Sequence, residues 1–158
     1  MDKLPINIDI LSNQADASMR EKVIAFENEM RKVPQLDLKV EHIFSPGVYS
    51  RILHIPKDTI LTGHIHKYAQ LNILLKGVIE VLIDDDVKRI EAPHIVVSPA
   101  GIKRIARAIE DCVWITIHGT DETDLDTIEQ KFIAHNEQEY LDFCNTQLQL
   151  PFEGNLKC

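Results

Sequence analysis

The rhythm of polar and apolar residues changes three times along this chain. Between Asp16 and Val33, the apolar residues Met19, Val23, Phe26, Met30 and Val33 recur at intervals of four and three, the period of one helix face. Asp16 or Ser18 can accept a hydrogen bond from the free N–H groups at the start of this helix. Glu21 stands where a capping box puts its carboxylate, and Pro34 blocks continuation. The stripe predicts a helix laid on the flank of a domain or packed on a partner subunit.

From about residue 36 the period falls to two. The runs QLDLKVEHIF, GVYSRILHI, LNILL, VIEVLID, VKRIEA, HIVVS, IKRIARAI and CVWITIH are separated by the turn signals SPG, PKD, KG, DDD, AP, SPAG and ED. Many short strands at close spacing predict an antiparallel sandwich or barrel. No long helical pattern interrupts them, which argues against a parallel α/β sheet. In LNILL both faces are apolar, so this strand is expected to be covered on both sides, by the opposing sheet and by another subunit or sheet. After His118 the longer period returns. Thr123 or Asp124 can cap a helix starting near Leu125, with Leu125, Ile128, Phe132, Ile133, Tyr140, Leu141 and Phe143 supplying apolar positions for one or two helices outside the sheet. The last stretch, QLPFEGNLKC, has no periodicity. The pattern divides the chain into a helical extension (1–35), a β-barrel (36–120) and a helical segment with a tail (121–158), in a mainly β fold.

Composition narrows this picture. A chain of 158 residues suits one domain with terminal extensions. A net charge of −8 argues against general attraction to nucleic acid or anionic membrane. Three cysteines, Cys112, Cys144 and Cys158, are odd in number and far apart, which suits a reducing compartment. The N-terminal residues lack a basic stretch followed by an apolar core, and no apolar run approaches membrane-spanning length, so the expected location is the cytoplasm.

The candidate chemistry lies in GHIHKYAQLNILLKG, residues 63–77. Residues two apart on a strand share a face, with Cα atoms roughly 6.5–7 Å apart, so His64 and His66 can converge on one ion. Downstream, His118 shares a face with Trp114 and Thr116, and Gln70 shares one with Asn72. His54 and His94 are further histidines on predicted strands. No P-loop, dinucleotide fingerprint or serine elbow is present, and no cysteine has a cationic sequence setting that would favour a thiolate. Asp121, Glu122 and Asp124 follow His118 and can reach a barrel rim, although capping is the commoner use of such residues.

The spacing His64-x-His66, Gln70 and Gly77 resembles the first motif of the cupin superfamily with Gln in place of Glu. PAGIKRIARA resembles the second, with Pro99 and Gly101 in place but Arg104 where the family has histidine and Ala108 where it has asparagine. The stretch VWITIHGTDETDLDTIE is similar to small cupin proteins encoded by tailed bacteriophages. The resemblance implies a jelly-roll barrel of about eight strands with a pocket at one mouth, commonly a homodimer. It also implies a divalent transition metal held by three histidines and a glutamate. Of that set only His64 and His66 remain here, with His118 available to complete a histidine trio. Gln70 is neutral, and Arg104 remains protonated and repels a cation.

The same two exchanges suit the pocket to a small anion, because a guanidinium can bind carboxylate or phosphate through two parallel hydrogen bonds. Arg51, His66, Gln70, Asn72, Arg104 and His118 are the expected ligand-binding residues, with Lys103 and Arg107 expected outside. The competing expectation is that Arg104 pairs with an internal acid. Three functions follow: capture of a small anionic molecule without catalysis, as by a phage accessory protein; a metal-dependent enzyme using His64, His66 and His118; or a structural scaffold.

Overall fold

The computed structural model describes residues 18–149; the alternative cap Asp16 and the C-terminal tail lie outside the described residues. Helix α1 (Met19–Met30) opens with the expected capping box. The Ser18 hydroxyl accepts from the Glu21 amide at 3.3 Å, and the Glu21 carboxylate accepts from the Ser18 amide at 2.7 Å. The helix stops at Met30, three residues short of Val33. Lys32 and Val33 turn back to carbonyls three residues earlier, and the residue before proline disfavours the helical region. Val23 and Phe26 are buried, and Glu27 reaches Thr62 and Lys103, so the apolar stripe packs on the domain of its own chain.

Ten strands follow before the next helix: β1 (Val40–Ser45), β2 (Val48–Ile55), β3 (Ile60–Thr62), β4 (Ile65–His66), β5 (Gln70–Lys76), β6 (Val78–Ile83), β7 (Asp86–Glu91), β8 (His94–Ser98), β9 (Ile105–Ala108) and β10 (Cys112–Gly119). They form a five-stranded sheet in the order β1-β2-β10-β5-β8 and a four-stranded sheet in the order β3-β9-β6-β7, with antiparallel pairing throughout. The chain passes between the sheets at β2–β3, from β3 by way of β4 to β5, and at β5–β6, β7–β8, β8–β9 and β9–β10, which makes this an antiparallel jelly-roll barrel. The strands expected from residues 36 and 102 begin later, at Val40 and Ile105.

Gly77 makes the β5–β6 crossing possible. Its φ is +87°, and a Cβ there would collide with the Asp111 carbonyl oxygen and approach the Cys112 Sγ to 2.9 Å. Below the crossing, Leu53, Ile55, Leu74, Ile79, Val81, Ala108 and Cys112 form the core between the sheets.

The C-terminal segment forms α2 (Leu125–Phe132), β11 (Ile133–Ala134) and α3 (Glu137–Gln149). Asp124 caps α2 as expected, accepting from the Thr127 amide at 2.9 Å. Continuation of the helical pattern through Ile133 is corrected. Ile133 is extended, and the two-residue strand pairs Ile133 with His66 and Ala134 with Ile65. Burial of Ala134 against Ile65 and Tyr140 holds this strap in place. The outer face of the five-stranded sheet carries Leu71, Leu75, Ile95 and Val97, all exposed, beside the half-buried Ile52, Ile73, Ile115 and Ile117. Among the described residues no helix is long and apolar enough to cross a membrane.

Candidate functional site

The pairing register ranks the inward side chains of the five-stranded sheet into rungs. Tyr49 lies opposite His118, and Gln70 opposite Ser98. One rung below, Arg51 faces Thr116, Thr116 faces Asn72, and Asn72 faces Val96. The next rung is Leu53, Trp114, Leu74 and His94. The inner face is therefore polar near the end that holds β4 and apolar toward the core.

Between the sheets lies a cavity of about 710 Å³. Five of the six expected ligand-binding residues, Arg51, His66, Gln70, Asn72 and Arg104, line it together with His64, Ser98 and Thr116. Leu53, Ile55, Leu61, Ile79, Val81, Ala106 and Trp114 supply its apolar walls. Arg51, Lys88, Arg89 and Arg104 are in the wall, while no Asp or Glu is among the described residues that line it. The sixth residue, His118, turns into a neighbouring pocket with Tyr68, Lys131 and Phe132.

Arg104 stands just before β9, where its carbonyl accepts from the Gly63 amide at 2.9 Å. Its guanidinium donates to the Ser98 hydroxyl at 3.3 Å. The expectation of an internal acid partner is corrected: among the described residues neither Arg104 nor Arg51 forms an ion pair. Burial pushes both guanidinium pKa values down from the usual arginine range, and both groups remain cationic at neutral pH. Asp84 near Arg104 and Glu129 near Arg51 offset this lowering in part but form no ion pair with them. Partly desolvated cations without an ion-pair partner are costly, which favours a bound anion between them.

Asn72 braces this end more than it reads a ligand. Its carbonyl accepts from the Thr116 hydroxyl at 2.9 Å and the Trp114 indole N–H at 3.3 Å, and its amide donates to Ser98 at 3.0 Å. By contrast, the buried Gln70 Oε1 and His66 Nδ1 find no partner among the described residues.

The histidine trio does not assemble as a chelate. The His66 and His118 rings stack, with centroids 5.3 Å apart and planes 24° from parallel, and Phe132 stacks on His118 at 4.2 Å. Imidazole lone pairs lie in the ring plane, so stacked rings direct them past each other instead of onto one ion. Among the described residues no group of three or more His, Cys, Asp or Glu side chains is placed to hold a metal. Burial lowers the His66 pKa to about 3, aided by His118, His64 and Arg51, and lowers that of His118 to about 4. His64 is also lowered, by burial and by Arg51 and Lys103. All three imidazoles are neutral at pH 7.

Most of the remaining sequence candidates are occupied elsewhere. His54 bonds Glu41 at 2.6 Å, and His94 is exposed at the cavity wall. Lys103 was expected outside, yet it is buried beneath α1, donating to Glu27 at 3.1 Å and to the Gly63 carbonyl at 2.8 Å. Arg107 is exposed and pairs with Asp58. Asp121 accepts from the Gly47 amide, Glu122 from the Thr123 and Asp124 amides. Cys112 is buried and its thiol pKa is raised by that burial, unlike a nucleophile's. Sequence reasoning missed Ser98, the hydroxyl shared by Arg104 and Asn72, although its place at the end of HIVVS opposite Gln70 is a register signal. It also missed Phe132, whose place over His118 depends on the strap and has no local signal.

No family model matches the chain, and no curated protein matches it. Similar solved structures include KdgF from Halomonas sp., at 15% identity over 60% of this chain and 93% of that one, with a TM-score of 0.47. A cupin-2 domain protein from Shewanella frigidimarina is 17% identical over 65% of this chain and 100% of its own, with a TM-score of 0.43. An acetylacetone dioxygenase from Acinetobacter johnsonii is 16% identical over 55% of this chain and 66% of its own, with a TM-score of 0.45.

Proposed function

We propose that this protein captures a small anionic molecule in the barrel cavity and does not transform it. The observation that carries this reading is the charge asymmetry of the wall. In a chain of net charge −8, the cavity presents Arg51 and Arg104 without ion-pair partners and includes no carboxylate among its described lining residues. A metal-dependent reaction is less well supported, because His66 and His118 stack and the family's glutamate and third histidine are Gln70 and Arg104 here. Capture without turnover suits a sequestering protein, such as a phage accessory protein that removes a small molecule from the host cytoplasm.

Thermal denaturation against a panel of carboxylates and phosphates tests this reading. At least one anion should raise the melting temperature of the wild type, and Arg104→Gln should abolish that rise without losing the fold. A panel without effect would contradict it. The partner we propose is a second copy of the chain, seated on the apolar outer face of the five-stranded sheet. Exposed Leu71, Ile95 and Val97 in adjacent strands favour it.

A further inference from the structure

We infer that the anion is an amphipathic acid: a carboxylate on a hydrocarbon or aryl body, with its head between Arg51 and Arg104 and its body against Leu53, Ile79, Ala106 and Trp114. This rests on the anion-capture reading and narrows its ligand class.

Two features carry it. First, on the strands of the barrel wall that carry Arg51, Asn72 and Thr116, the polar groups are concentrated at one end. Arg51 lies one rung above Leu53 and two above Ile55, and alternate residues on a strand are spaced by roughly 6.5–7 Å. Along β2 the wall thus turns from cationic to apolar over roughly 13 Å, while Lys88 and His94, both exposed, line the cavity from the edge strands β7 and β8. A compact polar dianion would meet the guanidinium groups but leave the lower walls facing water. A body of hydrocarbon covers them, and such burial is the main source of affinity in pockets of this kind. Second, the polar side chains level with Arg51, namely Asn72 and Thr116, and the Trp114 N–H one rung deeper are paired with one another. Asn72 takes the Trp114 and Thr116 donors, so little remains in the lower half to recognise a sugar or a nucleobase. A volume of about 710 Å³ is ample for such an acid.

The chain has one tryptophan, Trp114, and it lines this cavity, so its fluorescence reports on this site and not on the apolar outer face. Folded full-length protein would be titrated with butanoate, hexanoate, octanoate and decanoate, and with octanol, malonate and inorganic phosphate. The expected result is saturable change in Trp114 emission, with affinity rising about three- to fourfold per added methylene. Octanoate should bind at least tenfold tighter than octanol, and Arg51→Gln/Arg104→Gln should remove that preference. Ala106→Phe, which fills the lower cavity and leaves the arginines in place, should weaken decanoate more than butanoate. Circular dichroism would confirm that each variant is folded. If malonate or phosphate binds and chain length brings no gain, the amphipathic ligand falls while anion capture stands. If octanol binds as tightly as octanoate, with no effect of the arginine substitutions, anion capture falls too. If no probe, phosphate and malonate included, perturbs Trp114 at millimolar concentration, both are overturned.

Discussion

The two faces of the five-stranded sheet have exchanged the polarities that a barrel ordinarily gives them. At the upper rungs the inner face carries Arg51, Gln70, Asn72, Thr116 and His118, where a core would be apolar. The outer face carries Leu71, Ile73, Ile95, Val97, Ile115 and Ile117, where water would favour polar residues. Only at the lower rung, with Leu53 and Leu74, does the inner face become core. Buried polar groups cost stability unless they are paired, and contiguous exposed apolar surface marks an interaction site. The inversion is the basis for the two partners proposed above: a ligand inside, another copy of the chain outside.

The first way to test this contrast is at the rung where it vanishes. Leu74 is fully buried, so Leu74→Ala should cost about 2–5 kcal/mol in urea unfolding. Leu71→Ala, its near neighbour on the outer face, should cost the isolated subunit far less. Equal losses would mean that the outer face is packed within the subunit. Next, Ile95→Glu/Val97→Glu should turn a dimer into a monomer in sedimentation velocity, weakening association about a hundredfold or more. A wild type that sediments as a monomer at tens of micromolar would remove the outer partner.

A smaller effect is expected from Asn72→Ala. It deprives Trp114, Thr116 and Ser98 of a shared partner and should cost about 1–3 kcal/mol. The loss should be accompanied by weaker ligand binding, since Ser98 also positions Arg104. Last is pH. His66 and His118 titrate near 3 and 4 when folded but near the ordinary value of about 6.5 when unfolded. Below pH 6.5 the unfolded state therefore binds more protons, and stability falls as pH drops toward 4. The slope approaches about 1.4 kcal/mol per pH unit for each imidazole. His118→Gln should flatten it in acid-dependent unfolding curves, and an unchanged slope would show that His118 is not buried as a neutral ring.

Much of the fold was legible because period-two runs and turn residues are local signals. The capping box at Ser18 and Glu21, the Asp124 cap and the left-handed turn at Gly77 all follow from residues adjacent in sequence. The strap at Ile133 was not legible, because its pairing with His66 is decided by an open strand edge 67 positions earlier in the chain. The cavity residues were legible as a set, since alternation puts Gln70 with Asn72 and Trp114 with Thr116. Their states were not. That Arg104 forms no ion pair among the described residues, and that His66 and His118 stack instead of converging, are properties of side chains brought together by tertiary packing. Lys103 shows the same limit: alternation placed it away from Arg104, but only the docking of α1 makes that side buried.

The central claim is that guanidinium groups, and not a histidine-bound metal, hold the ligand. Isothermal titration of one bound anion tests it most directly, in wild type and in Arg51→Gln/Arg104→Gln, each with and without a chelator. The account predicts binding that the chelator leaves unchanged and the arginine substitutions weaken at least tenfold. Binding that disappears with the chelator, returns with a divalent transition metal and persists in the arginine variant would contradict it.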